Sequence, residues 1–97
     1  MAIKGLDVSG KVAVVVGGTS GIGKALALGL ADAGADVVAT SRRMEQVQEI
    51  TALIQASGRK SLAVASDVGD RASLQKVLAE TVSSLGKVDI LVNCAGT

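Results

Sequence analysis

The sequence predicts an α/β fold of the Rossmann type, a doubly wound parallel sheet built in the order β-α-β-α-β-α-β. Three observations carry that reading. Short valine-rich runs alternate along the chain with amphipathic helical stretches. The runs are continuously apolar rather than alternating, as in strands buried on both faces of a parallel sheet. The first run leads directly into a glycine-rich turn that opens a helix, "GGTSGIGKA" at 17–25.

The elements follow in order. "KVAVVVG" (11–17) reads as the first buried strand, and the Ala/Leu-rich residues 22–33 read as a helix with Gly34 at its C-terminal cap. "ADVVATS" (35–41) is a second strand. "MEQVQEITALIQAS" (44–57) puts Val47, Ile50 and Ile54 on one helical face, and Gly58 ends it. "SLAVAS" (61–66) is expected as a third strand. "DRASLQKVLAETVSSLG" (70–86) has Leu74, Val77, Leu78, Thr81, Val82 and Leu85 at helical spacing, with an Asp at the N-cap and Gly86 at the end. "VDILVN" (88–93) is the fourth strand. Strands joined by helices imply right-handed crossovers, and ligands of such folds sit at the carboxyl ends of the strands. No linker or second domain is evident in the pattern, so residues 1–97 read as part of a single domain.

Composition narrows the function. Ten basic against nine acidic residues leave a net charge of +1, which gives no support for a nucleic-acid or anionic-membrane surface. No apolar run approaches membrane-spanning length, and the first residues lack a signal-peptide core. The single cysteine, Cys94, excludes an internal disulfide and a cysteine zinc site. These features lead us to expect a cytosolic protein with no metal. The chain contains no His or Tyr, so the usual acids and bases of neutral-pH chemistry are absent from it.

Two phosphate-binding motifs compete for the glycine-rich turn. A nucleoside-triphosphate loop would use Gly18, Gly23 and Lys24, but Ala25 stands where that motif needs a hydroxyl for Mg²⁺. The simple dinucleotide pattern G-x-G-x-x-G also fails, because Leu26 occupies its third glycine position. The glycines here are Gly17, Gly21 and Gly23. That spacing lets backbone approach a pyrophosphate at Gly21 and Gly23, with N–H donors and dipole from the helix N-terminus and hydroxyls from Thr19 and Ser20.

With these residues in place, the chain resembles the short-chain dehydrogenase/reductase family, whose signature is T-G-x-x-x-G-[IL]-G. Residues 16–23, "VGGTSGIG", match it except for Val16 in place of the usual threonine, a change that bears on a structural bond more than on cofactor binding. The family's Asp-Val after the third strand is matched by Asp67 and Val68. Its N-N-A-G after the fourth is matched by "NCAG" (93–96) apart from Cys94. The resemblance implies a cofactor site formed by Gly17, Thr19, Ser20, Gly21, Ile22, Gly23, Asp67, Val68, Asn93, Ala95 and Gly96. Asp67 would meet the adenine, while Asn93, Ala95 and Gly96 would line the ribose side. Blander roles compete: Asp67 as a helix cap, Cys94 as a small packed residue, Lys24 as a solvated helix residue.

The end of the second strand bears on the choice of dinucleotide. An NAD enzyme usually presents an acid there to the ribose 2′-OH. Here the residues are Ser41, Arg42 and Arg43, and two guanidiniums suit a 2′-phosphate. NADP(H) is therefore the expected cofactor, in agreement with the family resemblance.

The resemblance further implies hydride transfer between nicotinamide and a small-molecule carbonyl or alcohol, in a homo-oligomer. The catalytic Ser, Tyr and Lys of the family lie beyond the N-A-G motif, so no catalytic residue is assigned within these residues. The strand at 88–93 would be an open apolar edge, a feature proteins normally protect. The expectation is thus the cofactor-binding half of a longer oxidoreductase, inactive by itself. A non-catalytic nucleotide-binding module and a nucleoside triphosphatase are the alternatives.

Overall fold

Val12–Val16 forms strand β1, and all five of its side chains are buried. In this computed structural model, which describes residues 7–67 and 69–94, the chain continues through helix α1 (Gly21–Asp32), strand β2 (Asp36–Thr40), helix α2 (Met44–Ala56), helix α3 (Arg71–Leu85) and strand β3 (Ile90–Asn93). The strands are parallel in the order β2-β1-β3, so β1 is central. That position explains its uninterrupted apolar run: both faces are covered. Ala13 and Val15 join Val37 and Ala39 in a cluster with Ala27, Leu30 and Ala31 of α1 and Ile50 and Ile54 of α2. Val14, Val16 and Val38 pack on the opposite face with Val64, Val77 and the half-buried Leu74, Leu78 and Leu85. The expected face of α2, formed by Val47, Ile50 and Ile54, is buried throughout.

The α/β architecture is as expected, with one local correction: the stretch 61–66 is not a strand of the sheet. It runs beside β2 and is tied to it at both ends. Val37 N–H donates to the Lys60 carbonyl (3.1 Å) and Ser66 N–H to the Ser41 carbonyl (2.9 Å). Between them, the buried Thr40 hydroxyl donates to the Val64 carbonyl at 2.5 Å, with Ser66 Oγ 3.0 Å away. In a regular ladder of this register the Val64 carbonyl would face the Ser41 amide. The main-chain rungs between Lys60 and Ser66 are not formed, and the donor that meets the Val64 carbonyl is the Thr40 hydroxyl. Alanines at 63 and 65 add little strand preference.

The helix ends follow their local chemistry. Asp70 is the N-cap of α3, its Oδ1 accepting from Ala72 N–H at 3.0 Å, and Gly86 closes the helix in the left-handed conformation (φ 93°). The apolar stripe of α3 is wider than the surface it covers. Val77 and Thr81 are buried, whereas Val82 is 48% exposed. The open edge expected at 88–93 is visible among the described residues: β3 pairs with β1 alone, and Leu91 is 51% exposed. No described helix is long and apolar enough to cross a membrane.

Asp89 anchors the start of β3. Its N–H donates to the Val12 carbonyl (2.8 Å), its Oδ2 accepts from Val12 N–H (2.9 Å), and Lys87 Nζ lies 3.0 Å from the same oxygen. The Val12 hydrogen bond, followed by the Lys87 contact, holds the carboxyl below its ordinary value of 3.8. A depressed folded value means that the stabilisation is present above 3.8 and disappears as pH falls through the folded value. Melting temperatures measured between about pH 5 and pH 3 should therefore fall more steeply for the native protein than for Asp89→Asn. Parallel curves would remove Asp89 from the acid response.

Candidate functional site

The parallel register brings the strand ends into one row. Val16 is aligned with Thr40 on one side and Asn93 on the other. Ser66, at the end of the 61–66 stretch, is tied to Ser41 just beyond β2. The segments that follow, beginning at Gly17, Ser41, Asp67 and Cys94, thus emerge along the same carboxyl edge. That row contains the described residues expected to form the site. Val68, Ala95 and Gly96, also expected there, lie outside the described residues.

The glycine-rich turn is built by close backbone contact. Gly17 N–H donates to the Thr40 carbonyl at 2.8 Å, and Gly18 N–H to the same oxygen at 3.3 Å. Gly23 is buried under the turn, and a Cβ there would collide with the Gly17 carbonyl. Gly21 is different: it has φ +57°, and nothing lies within 4 Å of where its Cβ would point. The turn is therefore packed tight below and open above. Ser20 is the N-cap of α1 but makes no side-chain capping bond, and the first turn carries no acidic residue. The leading N–H groups of α1 are thus presented to the open side, where a helix N-terminus favours an anion. Ile22 stands 77% exposed on this first turn.

Beyond β2 the chain presents its charge. Arg42 and Arg43 are exposed, and among the described residues the one ion pair is Lys87–Asp89, so neither guanidinium is matched to a carboxylate. Arg42 lines a cleft of about 300 Å³ with Ala65, Ser66, Asp67 and Ser73. Asp67 Oδ1 accepts from Gly69 N–H (2.9 Å), while Asp67 N–H donates to Ser73 Oγ (2.9 Å). Asp67 therefore shapes a tight turn at the cleft, and the capping role belongs to Asp70. Asp36 is at the far end of β2, where it accepts from Lys60 N–H (2.8 Å). Asn93 ends β3 and is exposed, while Cys94 is half-buried against the α1-side core.

A second cleft, about 210 Å³, lies between α1 and α2 and is lined by Thr19, Lys24, Gln46, Glu49 and Ile50. Lys24 is thus a half-exposed wall residue of this cleft. Thr19 is 9% exposed, and its Oγ1 is 2.9 Å from Ser41 Oγ and 3.1 Å from Gln46 Oε1. Sequence reasoning included Thr19 and Ser41 but missed Gln46. Its one signal is position: it lies in the first turn of α2, four residues before the core residue Ile50.

Aligned strand ends, a glycine turn at a helix N-terminus and clefts just past β2 define a Rossmann-type α/β protein. The family model described as short chain dehydrogenase matches residues 11–97, and the chain belongs to that family. It is 39% identical over 90 residues to a short chain dehydrogenase of Pseudocercospora fijiensis, covering 93% of this chain and 29% of that protein. It is 46% identical over 95 residues to the hydroxyacyl-CoA dehydrogenase of Mycobacterium tuberculosis, covering 93% and 30%. The crystal structure of L-sorbose reductase from Gluconobacter frateurii, complexed with NADPH and L-sorbose, superposes with a TM-score of 0.87 at 41% identity, covering 94% of this chain and 35% of that one. The chain spans about a third of the length of these relatives.

Proposed function

We propose that residues 1–97 form the cofactor-binding part of an NADP-dependent oxidoreductase whose catalytic Ser, Tyr and Lys belong to a longer chain. The cradle fits the group. Gly21 leaves open space where a pyrophosphate would approach, and the uncapped N–H groups of α1 face it. In this reading Gly17, Thr19, Ser20, Gly21, Ile22 and Gly23 hold the pyrophosphate side, Asp67 and Val68 the adenine, and Asn93, Ala95 and Gly96 the ribose next to the nicotinamide. Ser41, Arg42 and Arg43 hold the 2′ position. Bound there, the dinucleotide would supply or accept a hydride for a small-molecule carbonyl or alcohol. These residues bind and orient it. A homo-oligomer is the form that the resemblance suggests for the whole protein, and the composition suggests the cytoplasm.

The observation that carries the choice of NADP is the pair of unmatched guanidiniums at Arg42 and Arg43, with Arg42 on the same cleft as Asp67. A 2′-phosphate would meet them in charge-assisted hydrogen bonds. Titrations with NADPH and NADH should show tighter binding of NADPH. Arg42→Ala should weaken NADPH binding roughly 10- to 100-fold, with a much smaller effect on NADH. Tighter binding of NADH by the native protein would overturn the assignment.

A further inference from the structure

From its bond to the Asp67 backbone we infer that Ser73 is a positioning residue for the base of the dinucleotide: it fixes the turn in which the Asp67 carboxylate receives the 6-amino group of adenine. This role rests on the dinucleotide reading above and deepens it at the base.

Ser66 and Asp67 are pinned from two sides. Toward the sheet, Ser66 N–H donates to the Ser41 carbonyl (2.9 Å), and Ser66 Oγ lies 3.0 Å from the buried Thr40 hydroxyl. Toward the helix, Asp67 N–H donates to Ser73 Oγ (2.9 Å), and Asp70 N–H to the Asp67 carbonyl (2.9 Å). A backbone N–H can only donate, so the Ser73 oxygen is the acceptor in its contact. Ser73 is the third residue of α3. Among the described residues it is the one α3 side chain hydrogen-bonded to the row of strand ends.

The Asp67 side chain is held as well. Its Oδ1 accepts from Gly69 N–H (2.9 Å), and Oδ2 has no partner among the described residues. Gly69 thus occupies one carboxylate oxygen, and Ser73 fixes the peptide that carries the side chain. The other oxygen remains an acceptor on the cleft of about 300 Å³ that Asp67 and Ser73 line with Arg42, Ala65 and Ser66. That volume is at the lower end of small-ligand sites. With a 2′-phosphate on Arg42, the base attached to the same ribose lies in this cleft. An ionised carboxylate takes a hydrogen bond from an exocyclic amino group and repels a 6-oxo group, which can only accept. Without the Ser73 oxygen the Asp67 N–H loses its partner. The peptide is then free to turn toward water, and the carboxylate is no longer held against the base.

The test compares NADPH with reduced nicotinamide hypoxanthine dinucleotide phosphate, which carries a 6-oxo group in place of the amino group. Both are titrated into the intact protein and followed by nicotinamide fluorescence. The native protein should bind the adenine dinucleotide roughly tenfold or more tightly than its analogue. Ser73→Ala should weaken NADPH roughly fivefold without weakening the hypoxanthine dinucleotide, so the ratio falls by that factor. Ser73→Thr keeps the hydroxyl and should retain the native ratio. Asp67→Ala should abolish the discrimination, and adding Ser73→Ala to it should change neither dissociation constant. Melting temperatures of each variant confirm folding. Equal weakening of both dinucleotides by Ser73→Ala, or a further loss when it is added to Asp67→Ala, makes Ser73 a brace of the turn and overturns the inference. Equal binding of the two dinucleotides by the native protein also overturns it, needs no variant, and leaves the cofactor reading standing. Failure of the native protein to bind either dinucleotide overturns both.

Discussion

Replacing Gly23 with alanine is expected to lower stability by about 3 kcal/mol, at the upper end of what overpacking usually costs. The added Cβ would enter the Gly17 carbonyl, with the Gly17 carbonyl carbon at 2.9 Å and Gly18 Cα at 3.1 Å. Every one of these atoms is backbone, so no flexible side chain can swing aside. The turn cannot yield either without disturbing its bonds to the Thr40 carbonyl at the end of β2. The loss is read as a fall in melting temperature. Gly21→Ala provides the comparison. Its φ of +57° makes alanine strained by about 1–2 kcal/mol, but the added methyl meets nothing within 4 Å. Thermal denaturation should therefore rank Gly23→Ala well below Gly21→Ala. Equal losses would show that the close contact under the turn is not the cause.

Ile50→Ala should cost a similar amount, about 3 kcal/mol. Ile50 is 2% exposed and packs with Ile54 into the cluster that joins α2 to Val37 and Ala39 of β2 and to Leu30 of α1. Truncation removes buried methyl groups and leaves a cavity that the flanking helices close only in part. Since domains are stable by only about 5–15 kcal/mol, such a loss is a large fraction of the total. Ile50 also lines the cleft with Thr19 and Gln46, so a shift of α2 would reach the hydrogen-bond chain at Ser41. Denaturant unfolding should show the stability loss, and NADPH titration should show weakened binding in molecules that remain folded. Leu53→Ala, on the exposed side of the same helix, should cost less than about 1 kcal/mol. A comparable loss at Leu53 would contradict the burial argument.

Much of the candidate site's geometry was legible because its residues are placed by their near neighbours in the chain. Gly17, Gly21 and Gly23 needed only the local path of a strand-to-helix turn, and Arg42 and Arg43 needed only the end of β2. Gln46 was not legible. Its side chain finds Thr19, 27 positions earlier, across the space between two helices. No local pattern encodes that meeting. Asp67 was ambiguous for a related reason. Both Asp67 and Asp70 have the chemistry of a cap, and the choice depends on where the chain turns into α3.

What the sequence determined by itself was the alternation of buried strands and helices, the faces of α2 and the identity of the family. Hydrophobic period and turn chemistry are properties of neighbouring residues and survive in a one-dimensional string. The tertiary structure decided the rest. Residues 61–66 have the apolar character of a strand, yet they meet β2 at Lys60 and Ser66 and through the Thr40 hydroxyl rather than by a full main-chain ladder. Val82 belongs to the helical stripe, yet no described element covers it. In each case the outcome depends on which group from a distant segment arrives opposite, and only the packing of sheet and helices sets that register.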